Sequence, residues 1–458
     1  MPLKYVSNIL FIVFAGLGLS HYAADTAANS DATTSLKARN SEFQKQIIQV
    51  AENIYTAVGY GVSPVSMIVG DSGLVIIDTG IDPDLGREIR EQFRDISDLQ
   101  VSAIILTHGH GDHTRGADAF LDNDNVQVWA REGYGAEDRF HTEAGLTIQM
   151  KRGAMQGGFL LQPEQRINNG IARAYWPKRG GAVFGASKQV QPTHFLTGAR
   201  QAIKVAGVTL DLVAATGETY DQLYIWYPKK RTVFAGDNFY KSWPNLYAIR
   251  GTAYRDVRLW ADSVDSMLAE SPVNLVGGHT RPVLGESEVV EILRNYRDAI
   301  GFVFDKTIDG MNQGMTPDQL VEYVQLPPAL RDLDYLQPYY GHVEWAVRSI
   351  FNGYLGWFNG NSTKLFPLSD SAKAANIAGL VGGQDRLQQA ASDALAAGEA
   401  QWAAELCDYL LALNASNRSA MLIKANALNV LAQDLLTATG RNYYLSEANM
   451  LRQRAGDE

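Results

Sequence analysis

One cysteine and eight histidines are all that the 458-residue chain contains of those two residue types. With Cys407 alone, no disulfide can form within the chain, so its stability must rest on a buried core. The cysteine falls on the apolar helical pattern of "AAELCDYLLAL", which marks it as buried filler rather than a reactive thiol. No run of basic residues occurs, and a formal charge of −10 with a pI near 5.4 argues against a nucleic-acid partner. Long apolar runs are missing too, except for "ILFIVFAGLGL" (9–19), which follows Lys4 and precedes the small residues of "AADTAANS". That layout is of a secretory signal peptide, too short to span a bilayer comfortably. We therefore expect a signal peptide over residues 1–28, an exported protein, and no stable membrane partner.

What is present describes a globular protein, 46% hydrophobic and 20% charged, long enough for two or three domains. Residues 66–82 read as two short apolar strands joined by a Gly-containing turn. The spacing of Leu85, Ile89 and Phe93 then predicts a helix over 85–96. "VSAIILT" (101–107) is a continuous apolar run, the mark of a strand buried on both faces. Further strands are expected at 208–215, 223–228, 231–237 and 273–279, which together indicate layered α/β architecture. From about residue 290 the texture becomes helical, with Thr316 and Pro317 opening one helix. Beyond 366–372 it is almost wholly Ala- and Leu-rich helix, read as antiparallel pairs. The expected organisation is an α/β domain over 40–290 and an all-helical domain over 291–456.

Three of the eight histidines crowd into "THGHGDHTRG" (107–116), with an aspartate among them: His108, His110, Asp112 and His113. The motif begins as a buried strand ends, on the loop where α/β folds place their chemistry. Gly109 and Gly111 are expected to let the backbone bend so that alternate side chains converge. Imidazole with carboxylate suits zinc or a neighbouring divalent metal. Glu218, Asp237 and His279 also stand where predicted strands end. Four histidines and three carboxylates are too many for one tetrahedral ion and suit two ions sharing a bridging carboxylate. Asp78, ending the strand in "IIDTG", is expected to orient ligands. Two such ions lower the pKa of a water between them and hold hydroxide ready at neutral pH, so the reaction class is hydrolysis. Among the aromatic residues, Trp129, Tyr134, Phe159, Tyr175 and Trp176 are candidates for lining an apolar channel.

The order "IIDTG", then "THGHGDHTRGA", then downstream acidic and histidine residues resembles the metallo-β-lactamase superfamily. The blocks "GDNFYKSWPNLYAIRGTAYRDVRLW", "NQGMTPDQLVEYVQLPPAL", "YYGHVEWAVRSIFNGYLGWFNGN" and "GRNYYLSEANMLR" resemble more specifically the alkylsulfatases of that superfamily. The resemblance implies an αββα sandwich followed by an all-α dimerisation domain, and a homodimer formed through residues 291–456. It also implies two zinc ions, with another divalent metal possible in their place, and hydrolysis of a small anionic alkyl sulfate ester to inorganic sulfate and an alcohol. Carried over, His108, His110 and Glu218 would hold one ion, and Asp112, His113 and His279 the other. Asp237 would bridge them where the family has glutamate, and Asn245 and Arg250 would grip the sulfate. A guanidinium fork suits a tetrahedral oxyanion.

Two departures stand out. The family carries a histidine after "YYG" where this chain has Trp345, which leaves His342, three residues earlier, as the candidate proton donor. The chain also stops where the helical domain ends, without the family's sterol-carrier-like domain, which leaves shorter esters open. With the histidine replaced, attack at the ester carbon, which expels sulfate, is favoured over attack at sulfur. Other hydrolases of the same fold (phosphodiesterase, lactonase, β-lactamase) and a metal-bound but catalytically idle assembly protein remain the alternative readings.

Overall fold

In a computed structural model, which describes residues 32–173 and 190–456, residues 46–284 build two facing sheets. The expected signal peptide and the pair Tyr175 and Trp176 lie outside the described residues. The first sheet contains β1 (Gln46–Ala51), β2 (Ile54–Val58), β3 (Val65–Val69), β4 (Leu74–Ile77), β5 (Val101–Ile105), β6 (Gln127–Arg131) and β7 (His194–Leu196), side by side in chain order. Its first four strands pair antiparallel, and β4 to β7 pair parallel. The second sheet runs in the order β13 (Val283–Leu284), β12 (Asn274–Val276), β11 (Thr232–Phe234), β10 (Leu223–Tyr227), β9 (Val208–Ala214) and β8 (Arg200–Val205).

Strand composition follows position. β10 reads LYIWY and is buried at every residue, as a central strand covered on both faces must be. β8 reads RQAIKV, alternates exposed and buried positions, and sits at an edge where its charged residues discourage further pairing. The sheets meet through Ile68, Val75, Ile77 and Ile105 from one and Leu210, Leu212, Ile225 and Phe234 from the other.

Helices cover both outer faces. α1 (Pro83–Arg94) starts at Asp82, whose side chain accepts from the Asp84 N–H at 2.7 Å, with Pro83 in the first turn. It lays Ile89 and Phe93 on the first sheet. α2 (Ala136–Glu143) and α3 (Ile148–Gln156) follow β6. α4 (Val257–Ala269) and α5 (Glu286–Asn312) cover the second sheet with Trp260, Val264, Val289 and Leu293. The layers are therefore helix, sheet, sheet, helix, as expected.

The same buried cluster continues past residue 290, through α5, α6 (Pro317–Tyr323) and α7 (Val343–Leu355), as far as Phe351. Thr316 caps α6 in a reciprocal capping box with Gln319. A helical core of its own starts only with α8 (Asp370–Val381), α9 (Gln384–Ala396), α10 (Ala400–Leu413) and α11 (Arg418–Gln433). It packs alanines with Leu387 and a fully buried Cys407. α12 (Ala438–Ala455) returns to the α/β half, where Asn442 donates to the Asn168 carbonyl at 3.2 Å. Among the described residues, no helix is long and apolar enough to cross a membrane.

Candidate metal centre

β9, β11 and β12 run in one direction in the second sheet, as β4 and β5 do in the first. Their C-terminal ends open on one edge of the sandwich. Asp78 follows β4, His108 to His113 follow β5, Glu218 follows β9, Asp237 follows β11 and His279 follows β12. The shared strand direction gathers residues that lie as far as 201 positions apart in the chain.

The ring and carboxylate atoms form three groups, each within 4.8 Å: His108, His113 and Asp237; Asp112, His113 and His279; His110, Glu218 and Asp237. Asp237 and His113 each belong to two of these groups. Asp237 Oδ1 stands 3.1 Å from His113 Nε2, and Oδ2 stands 3.1 Å from His279 Nε2. His108 Nε2 lies 3.1 Å from His110 Nδ1. Ligand atoms at about 2.0–2.2 Å from a common tetrahedral ion lie roughly 3.4 Å apart, so these separations suit the edges of coordination shells.

The atoms on the far side of the ligands are held. Asp78 accepts from the Thr107 backbone N–H (2.8 Å), the Thr107 hydroxyl (2.9 Å) and His113 Nδ1 (2.7 Å). The Thr107 hydroxyl also meets His108 Nδ1 at 3.0 Å, and His279 Nδ1 donates to the Val62 carbonyl at 2.9 Å. These contacts turn Nε2 of His108, His113 and His279 toward the centre. His110 Nε2 and Glu218 Oε2 are buried without a hydrogen-bond partner, and His113 Nε2 and Asp237 Oδ1 have only their 3.1 Å contact with each other. Buried polar atoms are normally satisfied, so a convergent set of orphans with this chemistry fits a divalent cation.

Electrostatics agree. Burial favours neutral His113, but Asp237, Asp112 and Asp78 overcome it and hold its pKa well above the usual histidine range. Burial and the neighbouring His113 push His108 well below that range. Burial would raise the Asp237 carboxyl, but His279 and His113 pull it well below its ordinary value. Burial raises Glu218, an effect only partly opposed by the Arg255 guanidinium.

The cluster forms one wall of a cavity of about 770 Å³, whose lining includes His110, Asp112, Glu218, Asp237, His279, Arg250 and Tyr340. Arg250 Nη2 stands 4.0 Å from the Glu137 carboxylate, which in turn lies 3.7 Å from His110 Nε2. An anion entering this cavity meets the ligand cluster and a guanidinium together.

Comparisons with known proteins now bear on the whole chain. Residues 58–279 match the metallo-beta-lactamase superfamily, and residues 316–454 match the alkyl sulfatase dimerisation family. A linear primary-alkylsulfatase from a Pseudomonas species is 35% identical over 391 residues, which cover 83% of this chain and 72% of that one. This chain belongs to the alkylsulfatase family. The alkyl/aryl-sulfatase BDS1 of Saccharomyces cerevisiae is 27% identical over 419 residues, covering 89% of this chain and 64% of its own length. Among solved structures, the stereoselective inverting sec-alkylsulfatase Pisa1 from Pseudomonas superposes with a TM-score of 0.83 at 25% identity, over 89% of this chain and 66% of that one.

Within this alkylsulfatase, the expected residues do not all reach the cavity. All seven nominated ligands converge; His108 groups with His113 and Asp237, and its Nε2 also lies 3.1 Å from His110 Nδ1. Arg250 lines the cavity, as expected. Asn245 is not among the residues lining the cavity; it is 2% exposed, with its Nδ2 buried and unpartnered. His342 is displaced from the site: it is the N-cap of α7, its Nδ1 accepts from the Glu344 N–H at 3.3 Å, and it is absent from the cavity lining. The wall at this segment is formed by Tyr340, two residues earlier, rather than by His342. Trp345 packs toward Gly440 of α12.

Of the proposed channel aromatics, Phe159 lines the cavity, whereas Trp129 and Tyr134 belong to the sheet cores. The motif glycines serve close approach rather than bending. Neither has a positive φ, and a Cβ at Gly109 would stand 2.8 Å from the Gly135 nitrogen. Glu137, Arg255 and Tyr340 were not anticipated. "GYGAED" carries no periodic or motif signal, and Arg255 and Tyr340, although they lie within the blocks that carry the resemblance, acquire a role only when the fold brings them to the cluster.

Proposed function

We propose that this alkylsulfatase hydrolyses alkyl sulfate esters to sulfate and an alcohol with two divalent ions, zinc by its nitrogen- and oxygen-donor set. The observation that carries this reading is the sharing of one cavity by Arg250 and a ligand cluster joined through Asp237. His108, His110, Asp112, His113, Glu218, Asp237 and His279 would hold the ions, which when bound supply Lewis acidity and acidify a water. Arg250 offers its fork to the ester's sulfate oxygens, and Asn245, five residues earlier with its Nδ2 unpartnered, is a second candidate donor. Burial pushes the Tyr340 phenol upward, so it stays protonated and donates rather than repelling the anion. Glu137, held at about 2 against the cost of burial by the neighbouring His110 and by the nearby arginines, stays ionised and lies 3.7 Å from His110 and 4.0 Å from Arg250.

With His342 outside the cavity, we assign cleavage to the ester C–O bond: water oxygen bonds to carbon, and the electron pair leaves on sulfate. Pisa1, named as an inverting enzyme, supports that route. Hydrolysis in oxygen-18 water is expected to label the alcohol. Label confined to sulfate would refute the assignment.

We read the chain as an exported homodimer. Export rests on the apolar run at 9–19. Dimerisation rests on the matched family and on the highly exposed Trp357 (71%), Phe366 (95%) and Leu380 (83%) in its helical part. Light scattering and the N-terminal sequence of the exported protein test these two readings.

The deciding experiment measures sulfate release from octyl and dodecyl sulfate by metal-loaded protein, beside a chelated control and Arg250→Ala. Release that needs the metal and falls at least 100-fold in the variant is expected, given about 3 kcal/mol for a charged hydrogen-bonding partner. No release from protein that carries two ions would redirect the assignment to phosphodiesters, lactones and β-lactams.

A further inference from the structure

Arg255 is the most deeply buried cation near the site, 3% exposed, and its guanidinium touches two parts of the machinery at once. Nη2 stands 2.7 Å from Glu218 Oε1, and Nη1 donates to the Asn245 backbone carbonyl at 2.6 Å. The first contact fixes Glu218 Oε1, which also lies 3.7 Å from His110 Nδ1, and leaves the orphaned Oε2 for an ion. The second closes the base of the loop from Asn245 to Arg255, on which Arg250 sits. Asp256, the next residue, is the N-cap of α4 and accepts from the Leu259 N–H at 3.0 Å, so the backbone at the foot of this loop is fixed to a helix. At the other foot, the Asn245 N–H donates to the Tyr240 hydroxyl at 2.7 Å.

We propose that Arg255 is a positioning residue that couples the metal centre to the anion grip: one guanidinium sets both the reach of Glu218 toward an ion and the placement of the loop that carries Asn245 and Arg250. This deepens the function proposed above and rests on it. Arginine is required because the task needs two contacts at a fixed angle on one rigid plane, an ionic one at Nη2 and a hydrogen bond at Nη1. Lysine brings the charge but a single point of contact, and it can satisfy Glu218 or the Asn245 carbonyl, not both. The coupling is reciprocal: an ion that draws Glu218 into place also steadies the loop, so metal and sulfate each tighten the binding of the other.

The test compares full-length wild type, Arg255→Lys and Arg255→Met. Zinc is titrated calorimetrically with and without inorganic sulfate, and sulfate is titrated into chelated and zinc-loaded protein. Circular dichroism of the chelated proteins reports folding. In wild type, zinc should tighten sulfate binding at least 5-fold. In folded Arg255→Lys, one of the two zinc sites should weaken 10- to 100-fold, and the zinc effect on sulfate should fall to within 2-fold. Arg255→Met should lose the same site more completely. If the lysine variant keeps both affinities and their linkage and loses only thermal stability, Arg255 is merely structural and the proposal is overturned. If the variants lose zinc while sulfate still responds to the remaining ion as in wild type, the coupling is overturned and only ligand support survives. Wild-type protein that takes up no zinc overturns the functional reading itself, an outcome visible before any variant is compared.

Discussion

Replacing Asp78 by asparagine isolates the buried carboxylate behind His113 with little disturbance to the backbone. Asp78 sits at φ 54°, a left-handed conformation that asparagine tolerates far better than alanine does. The side chain is 4% exposed and accepts three hydrogen bonds, two of them, from the Thr107 hydroxyl and His113 Nδ1, at Oδ2. An amide has one acceptor oxygen. If it keeps the Thr107 backbone N–H, its NH₂ faces His113 Nδ1–H, two donors pointing at each other. His113 then shifts its proton to Nε2, the atom that faces the cluster and would bind the ion. The loss expected for removing such a partner is 10- to 100-fold in metal affinity, about 1.4–2.7 kcal/mol. The unsatisfied buried donor adds about 1–3 kcal/mol of instability to chelated and loaded protein alike. Competition against a chromophoric chelator measures the first quantity, and melts with and without EDTA separate it from the second. Zinc affinity within 2-fold of wild type in a folded Asp78→Asn protein would refute the tautomer argument, whatever happened to its melting temperature.

His342→Ala removes only a helix cap, so it should cost about 1 kcal/mol of stability and leave sulfate release unchanged; a fall of more than 10-fold would restore His342 to the site. Burial pushes the Cys407 thiol up to about 12, so it should react with a thiol reagent at neutral pH only after unfolding; prompt modification of native protein would contradict the packed helical core. Glu137 has a folded pKa of about 2, below its ordinary 4.5, so its ionised form stabilises the fold above pH 4.5, and that stabilisation disappears as pH falls toward 2. In chelated protein, the advantage of wild type over Glu137→Gln, at most about 3 kcal/mol, should shrink on acidification below 4.5. An advantage that stayed constant with pH would show that the carboxylate's charge is not what matters.

Strands buried on both faces were legible because they need no partner to be recognised: "VSAIILT" and "LYIWYP" are apolar throughout. β1, β2, β6, β7 and β8 were missed because they mix polar residues into short segments, and only pairing with neighbours makes them strands. The seven candidate ligands were legible because each ends a readable strand, whether in a dense motif or singly. Glu137, Arg255 and Tyr340 were not, since an acidic residue, a basic residue and a tyrosine in loops and a short helix have ordinary surface readings. His342 shows the converse failure. A residue three positions from an expected one can share its helical face only if both lie within the helix, and His342 is the cap where that helix begins. The domain boundary drawn near 290 follows the change in texture, but the core does not divide there, because α5 packs on the same sheet as α4.

The arrangement also couples metal uptake to protons. Asp78, Asp112, Glu137, Glu218 and Asp237 bring five carboxylates to the centre, against the guanidiniums of Arg115, Arg250 and Arg255. Without cations, such a cavity favours protons on its histidines: despite burial, His110, His113 and His279 are all held above the ordinary histidine value by carboxylates around them. A sulfate ester approaching that state meets Glu137 together with the guanidiniums of Arg250, Arg115 and Arg139 on the cavity lining. Divalent ions would take the place of the histidine protons and concentrate positive charge between the ligands, so metal taken up near neutral pH should release protons. The carboxylates that hold protons on these histidines are also what draw the cations.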